Sequence, residues 1–109
     1  MTQTRHIPIS VLLVKEGEGW VAQCLEYDIV GQGGSIREAQ DSFIRVVQGQ
    51  LYIDSQRGRE PFQGIEPAPP FYWAYFREGA RMHDPLTVPP PAVSSSHVFY
   101  PRADDVRVY

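Results

Sequence analysis

The stretch from Gly31 to Leu51 (GQGGSIREAQDSFIRVVQGQL) constrains the fold more than any other part of the chain. Ser35 followed by Glu38 reads as a capping box: the hydroxyl accepts an amide of the first turn, and the carboxylate reaches back to the amide of Ser35 itself. A helix therefore begins at about Ile36. Ile36, Ala39, Phe43, Val47 and Leu51 recur at helical spacing, with Ile44 and Val46 widening the apolar stripe. Arg37, Gln40, Asp41, Arg45 and Gln48 fill the opposite side. Such a helix lies on a sheet. It runs to about Ser55, with Gly58 as its stop and Pro61 beyond the end of the pattern. The Gly33-Gly34 pair ahead of it is expected to supply positive φ between strand and helix.

The residues upstream supply the sheet. Ile7 to Val14 (IPISVLLV) is a strand with Ile7, Ile9, Val11 and Leu13 on one side and Pro8, Ser10, Leu12 and Val14 on the other. Pro8 lacks an amide donor, which places the start of this strand at a sheet edge or outside the ladder. Lys15 to Gly19 is short, polar and glycine-bearing, the signature of a hairpin. Trp20 to Leu25 returns, with Trp20, Ala22 and Cys24 on one face and Val21, Gln23 and Leu25 on the other; the pattern leaves open which face meets the helix. Glu26-Tyr27-Asp28 forms a corner, and Ile29 to Gln32 a brief third strand. The expected class is α+β: a small antiparallel sheet, β-β-β-α plus a C-terminal strand, covered by one long helix.

Beyond residue 58 the character changes. Nine of the ten prolines lie from Pro61 to Pro101, so residues 59–109 read as short pieces joined by extended segments. One piece is helical, at about residues 70–80: Pro69-Pro70 suits a first turn, and Gly79 follows Phe71-Tyr72-Trp73-Ala74-Tyr75-Phe76. Its aromatics either dock on the sheet through Trp73, Phe76 and Ala80 or form a patch for a partner. Residues 87–96 (TVPPPAVSSS) read as a linker. Of the two strand-like pieces after it, Val98 to Tyr100 and Val106 to Tyr109, one is expected to complete the sheet.

At 109 residues the chain supports a single domain. Its formal net charge of −3, with nine Arg and one Lys scattered, argues against a broad cationic surface for nucleic acid. Cys24 is the only cysteine, which excludes an intrachain disulfide and a multi-thiolate metal site and fits a reducing compartment. No stretch has the pattern of a signal peptide or a spanning helix, so a cytoplasmic protein without membrane attachment is expected.

Chemistry is thinly represented. His6, His83 and His97 lack metal-ligand spacing, and Cys24, inside a strand, reads as a core residue and not a nucleophile. The acidic pairs Glu16/Glu18, Glu26/Asp28 and Asp104/Asp105 sit where turns and loops collect such residues. GQGG has neither GxxxxGK[ST] nor GxGxxG, and Glu38 in the first helical turn opposes an anion. No catalytic residue, metal ligand or cofactor site is expected.

From Gly17 to Phe43 the sequence resembles the HicB-like antitoxin family. The resemblance is carried by Gly19, Trp20 and Ala22 leaving the hairpin, the Gln32-Gly33 turn, then Ser35, Glu38 and Ala39 opening the helix, and it covers residues about 7–55. The family's usual corner, Pro-x-Leu-Pro-Gly-Cys, is here the shorter Leu25-Glu26-Tyr27-Asp28-Ile29. What the resemblance implies is a degraded RNase H-like or double-stranded-RNA-binding-like sheet, not an enzyme, that binds and masks a small basic HicA-like ribonuclease and forms dimers or larger homo-oligomers. Residues 1–58 would be that unit. No DNA-binding motif follows it. The acidic Glu16, Glu18, Glu26 and Asp28, together with Trp73 and Phe76, are the expected partner contacts. The alternative is an RNA-binding module in which Arg37, Arg45, Arg57 and Arg59 form a phosphate-tracking stripe along the main helix. A remnant nuclease would need a cluster of acidic metal ligands that the sequence does not assemble.

Overall fold

The computed structural model describes residues 3–90 and 97–109, with side chains described over 6–90 and 100–109. The elements are β1 (Gln3–Glu16), β2 (Gly19–Cys24), β3 (Val30–Gly33), α1 (Ile36–Gln56), α2 (Pro70–Glu78), β4 (Ala80–Arg81), β5 (Leu86–Thr87) and β6 (His97–Val108). They build one α+β fold around a six-stranded sheet of order β3-β2-β1-β6-β4, with β5 also paired to β6.

Gly17 at φ 61° turns β1 into β2. Among two-residue hairpin turns, type I′ needs positive φ at both central residues and type II′ only at the first. Glu18 is not left-handed, so the turn is type II′.

The step from β3 into α1 differs from expectation. Neither Gly33 nor Gly34 has positive φ. Gly31 and Gly33 are needed for space: a Cβ on Gly31 would overlap the backbone of Phe43, and one on Gly33 would overlap the backbone of Glu38 and Ala39. The absent side chains let α1 settle directly on β3. There the Ser42 hydroxyl accepts the Gln32 amide at 3.3 Å, which blunts the outer edge of the sheet.

The cap of α1 is also modified. Ser35 Oγ accepts the Glu38 amide at 3.1 Å, as expected. The Glu38 carboxylate, however, accepts from the Gly34 amide at 2.9 Å, one residue earlier than a standard box. Ala39, Phe43, Val47 and Leu51 are buried, and Ile36 and Ile44 pack beside them. Val46 instead lies 45% exposed. It is about 100° around the helix from Val47, outside the arc that β1 and β2 can cover.

Beneath α1 lie Ile7, Ile9, Val11 and Leu13 of β1, Trp20, Ala22 and Cys24 of β2, and Ala103, Val106 and Val108 of β6. The unresolved choice of face for β2 is thereby settled. Pro8 falls in the part of β1 that precedes Val11 and has β6 on one side only, so its missing donor breaks no ladder.

The C-terminal strand is one continuous element, not one of two short pieces, and it runs parallel to β1. Antiparallel pairing holds for β1–β2, β2–β3 and the short β4 and β5 against β6. A parallel neighbour requires a long crossover, and the two helices supply it. A bulge at Asp104 places two residues of β6 against one of β1. It explains why Ala103 and Val106, three apart, both face the core. Of the linker expected at 87–96, Thr87 belongs to β5 and Val88 is buried, while 91–96 lie outside the described residues.

The opposite face of the sheet carries a smaller core of Leu12, Leu25, Ala68 and Phe76, with Val14, Tyr72, Trp73 and Tyr75 packed against it. This is where α2 sits. Arg107 of β6 holds its far end: its guanidinium lies 4.7 Å from the Phe76 ring centroid and donates to the carbonyls of Phe76 and Arg77, where a helix terminus favours positive charge. Ala80, expected to dock with the helix, is exposed in β4.

Candidate partner-binding site

The four acidic residues fall at opposite ends of β2. Glu16 and Glu18 flank Gly17 at the hairpin tip, beside a cleft of about 580 Å³ that Trp20 helps to wall. Glu26 and Asp28 sit at the other end, roughly 17 Å away for a strand of this length. Their roles differ. The carboxylate of Glu26 is held by Ser10, whose amide donates to Oε1 at 2.6 Å and whose hydroxyl donates to Oε2 at 2.8 Å. Asp28 is exposed and accepts one bond, from Gln23 Nε2 at 3.0 Å.

The aromatic residues divide in the same way. Phe76 is buried against Leu12 and Leu25, and Trp73 packs beside it, so these two expected contacts serve mainly to seat α2. The outward face is Phe71, 51% exposed, with Tyr72 and Tyr75 beside it. Tyr75 stacks on Tyr109 at 4.3 Å. Helical phase separates the sets: residues 73 and 76 share one side of α2, and 71 and 75 lie around from it.

The structure brings the corner and the aromatic helix together. A groove of about 600 Å³ opens between the β2–β3 corner, α1 and the start of α2; Asp28, Gln23, Gln50, Val46, Phe71 and Tyr72 line it. Burial raises the Tyr72 phenol above the usual tyrosine range, and the charges of Glu16 and Asp28 raise it further. The hydroxyl thus stands in a negative field fed from both ends of β2.

No family model, curated protein or solved structure matches the chain. Function must therefore be read from the residues themselves.

Among the described residues, the other candidate groups are buried or already engaged. Burial pushes the Cys24 thiol up to about 12, the opposite of what a nucleophile needs. Among the described residues no group of three His, Cys, Asp or Glu side chains could hold a metal, and no helix is long and apolar enough to cross a membrane. The arginine stripe proposed for α1 loses a member: Arg59 pairs with Asp54 at 3.1 Å. Asp54, only 1% exposed, also accepts from Gln50 Nε2 and the Phe62 amide. It organises the loop after α1, where Phe62 stacks on Tyr27 at 4.5 Å with its backbone held at φ 63°. Sequence periodicity gave no sign of this buried carboxylate, since a polar residue on the inner stripe is indistinguishable from one at a frayed helix end. Gln23 and Gln50 carry no such signal in the sequence either; Phe71 and Tyr72 belong to the aromatic run read as a possible patch for a partner, and the phase of α2 relative to Trp73 and Phe76 singles out Phe71.

Proposed function

We propose that this protein is a non-enzymatic, HicB-like partner-binding protein of the cytoplasm, an antitoxin that holds and neutralises a small basic HicA-like ribonuclease. The observation that carries the reading is the joint placement of acidic and aromatic groups: Asp28 lines one groove with Tyr72 and the exposed Phe71, and Glu16 and Glu18 stand at the hairpin tip at the other end of β2. Such a face offers attraction to a cationic surface and flat rings for contact area. The hairpin, corner, third strand and capped helix implied by the resemblance occur in that order, which supports the same reading. The resemblance also makes a homo-oligomer the expected form, to be checked by sedimentation.

Affinity purification of the tagged protein from its native host, with stoichiometric partners identified by mass spectrometry and bound RNA assayed, tests the proposal. A small basic protein at fixed ratio is the expected result, and charge reversal at Glu16 and Asp28 should weaken that complex. Recovery of the protein alone, as a nucleic-acid-free oligomer, would overturn the antitoxin reading; bound RNA whose retention falls steeply with salt would replace it with the RNA-binding alternative.

A further inference from the structure

The groove beside Asp28 presents acceptors and aromatic faces but no cation. Gln23 is 2% exposed, and its Nε2 donates to the Cys24 carbonyl at 2.8 Å and to Asp28 Oδ1 at 3.0 Å. Both neighbours are acceptors, so the amide orientation is fixed by chemistry. Its Oε1 then has no donor among the described residues. The Gln23 side chain lines the groove, so Oε1 is the end of it left to meet a donor from outside. Gln50 repeats the arrangement: its Nε2 donates to Asp54, leaving its oxygen as the end without a donor among the described residues. Asp28 retains acceptor capacity beyond its single bond. Two ring faces, Phe71 and Tyr72 at 4.1 Å between centroids, stand alongside, and no Lys or Arg lines the groove.

A group rich in donors, lacking acceptors, flat and positively charged complements that lining. The guanidinium is the side-chain group with all four properties. The chain already solves the same problem internally. Arg107 places its guanidinium over the Phe76 ring, donates to Asp105 through Nε at 3.0 Å and Nη2 at 3.2 Å, and donates to two carbonyl oxygens. Ring, carboxylate and amide-type oxygen recur in the groove as Phe71, Asp28 and Gln23.

We infer that the groove between α1 and α2 receives an arginine side chain of a basic protein partner, its guanidinium against Phe71 and bonded to Asp28 and Gln23 Oε1. The identity of the partner rests on the reading proposed above; the chemistry of the groove does not.

The test is a titration of the full-length 15N-labelled protein with acetyl-Gly-Arg-Gly-amide, followed by NMR. The arginine peptide should shift the side-chain amides of Gln23 and Gln50 and the backbone amides of Asp28, Phe71 and Tyr72. The matching citrulline peptide, neutral and carrying a carbonyl, should not. Asp28→Asn, which keeps an acceptor for Gln23, should weaken binding about tenfold, the loss of one hydrogen bond to a charged group. Phe71→Ala, at an exposed position, should weaken it several-fold. Absence of localised shifts, equal response to citrulline, or indifference to both variants would overturn the assignment. Free L-arginine binding as tightly as the peptide would also overturn it, because the site would then read a metabolite. The two proposals fail separately. A native-host purification without a basic partner removes the antitoxin reading even if the peptide binds. A basic partner that binds Asp28→Asn and Phe71→Ala as well as the parent removes the arginine groove alone.

Discussion

Glu26 grips Ser10 with both carboxylate oxygens, one on the backbone amide at 2.6 Å and one on the hydroxyl at 2.8 Å. The contact ties the corner after β2 to β1 just beyond the last residues that the two strands pair, and the Leu25 amide donates to the Ser10 carbonyl next to it. An acidic residue that looks available to a partner is here part of the frame. Glu26→Ala should lower stability by about 1–3 kcal/mol, the penalty for leaving such donors without an acceptor. A shift of the urea midpoint at unchanged slope would measure it. Asp28→Ala, at an exposed carboxylate that accepts one bond where Glu26 accepts two, should move the midpoint less.

Two glycines should respond to alanine with opposite signs. Gly31→Ala drives a methyl into the Phe43 backbone and should cost about 1–3 kcal/mol or more, since neither strand nor helix can yield without losing its packing. Gly49 lies inside α1 with open space around it, so Gly49→Ala should stabilise by about 1 kcal/mol through helix propensity alone. Thermal melting of both variants checks the pair; destabilisation at Gly49 would contradict the open space around it.

Asp54 and Arg59 form a pair with unequal burial, 2% and 34% side-chain exposure. Removing the buried member leaves the Phe62 amide, the Gln50 side chain and the Arg59 guanidinium without their shared acceptor. Asp54→Ala should cost about 3 kcal/mol. Arg59→Ala should cost clearly less, because its charge is partly solvated and Asp54 keeps two other donors. Hydrogen exchange at the Phe62 amide should accelerate in the first variant and change little in the second.

The Cys24 thiol should be inert in the native protein and reactive once unfolded. Its ordinary value of 9.0 rises to about 12 on folding, chiefly through burial, so between those values the unfolded chain releases a proton that the folded one keeps. The unfolded state binds fewer protons there, and stability falls as pH rises through that window; below pH 9 this contribution is fully present. Native protein at pH 8 should resist DTNB and react fully in urea, and Cys24→Ala should flatten part of the alkaline decline in melting temperature. Rapid native labelling at pH 8 would contradict the burial of the thiol.

How much of this was legible beforehand depends on the range of the interaction. The hairpin at Gly17, the helix start at Ile36 and its Gly58 stop are local devices, and each stands where its residues put it, with the carboxylate of Glu38 displaced by one amide. Gly33 reads in the sequence as a turn residue and serves instead to make room, as Gly31 does, because the two uses of a glycine look alike in one dimension. The parallel return of β6 was hidden because alternation sets the face of a strand and not its direction, and the extra residue at Asp104 broke even that alternation. The groove was out of reach for a different reason: it joins Asp28, Gln50 and Phe71, brought together only by the packing of both helices.

The pairing of β1 with β6 has a kinetic consequence. Gln3 meets His97 and Leu13 meets Val108, so the central ladder of the sheet closes loops of more than ninety residues. Contacts that distant form late and slow the search for the native state. The β1–β2–β3–α1 half needs no such closure and can assemble first. Because Arg107 of β6 holds the end of α2, the aromatic helix can rest on Leu12 and Leu25 early but gains its C-terminal anchor only when that ladder zips.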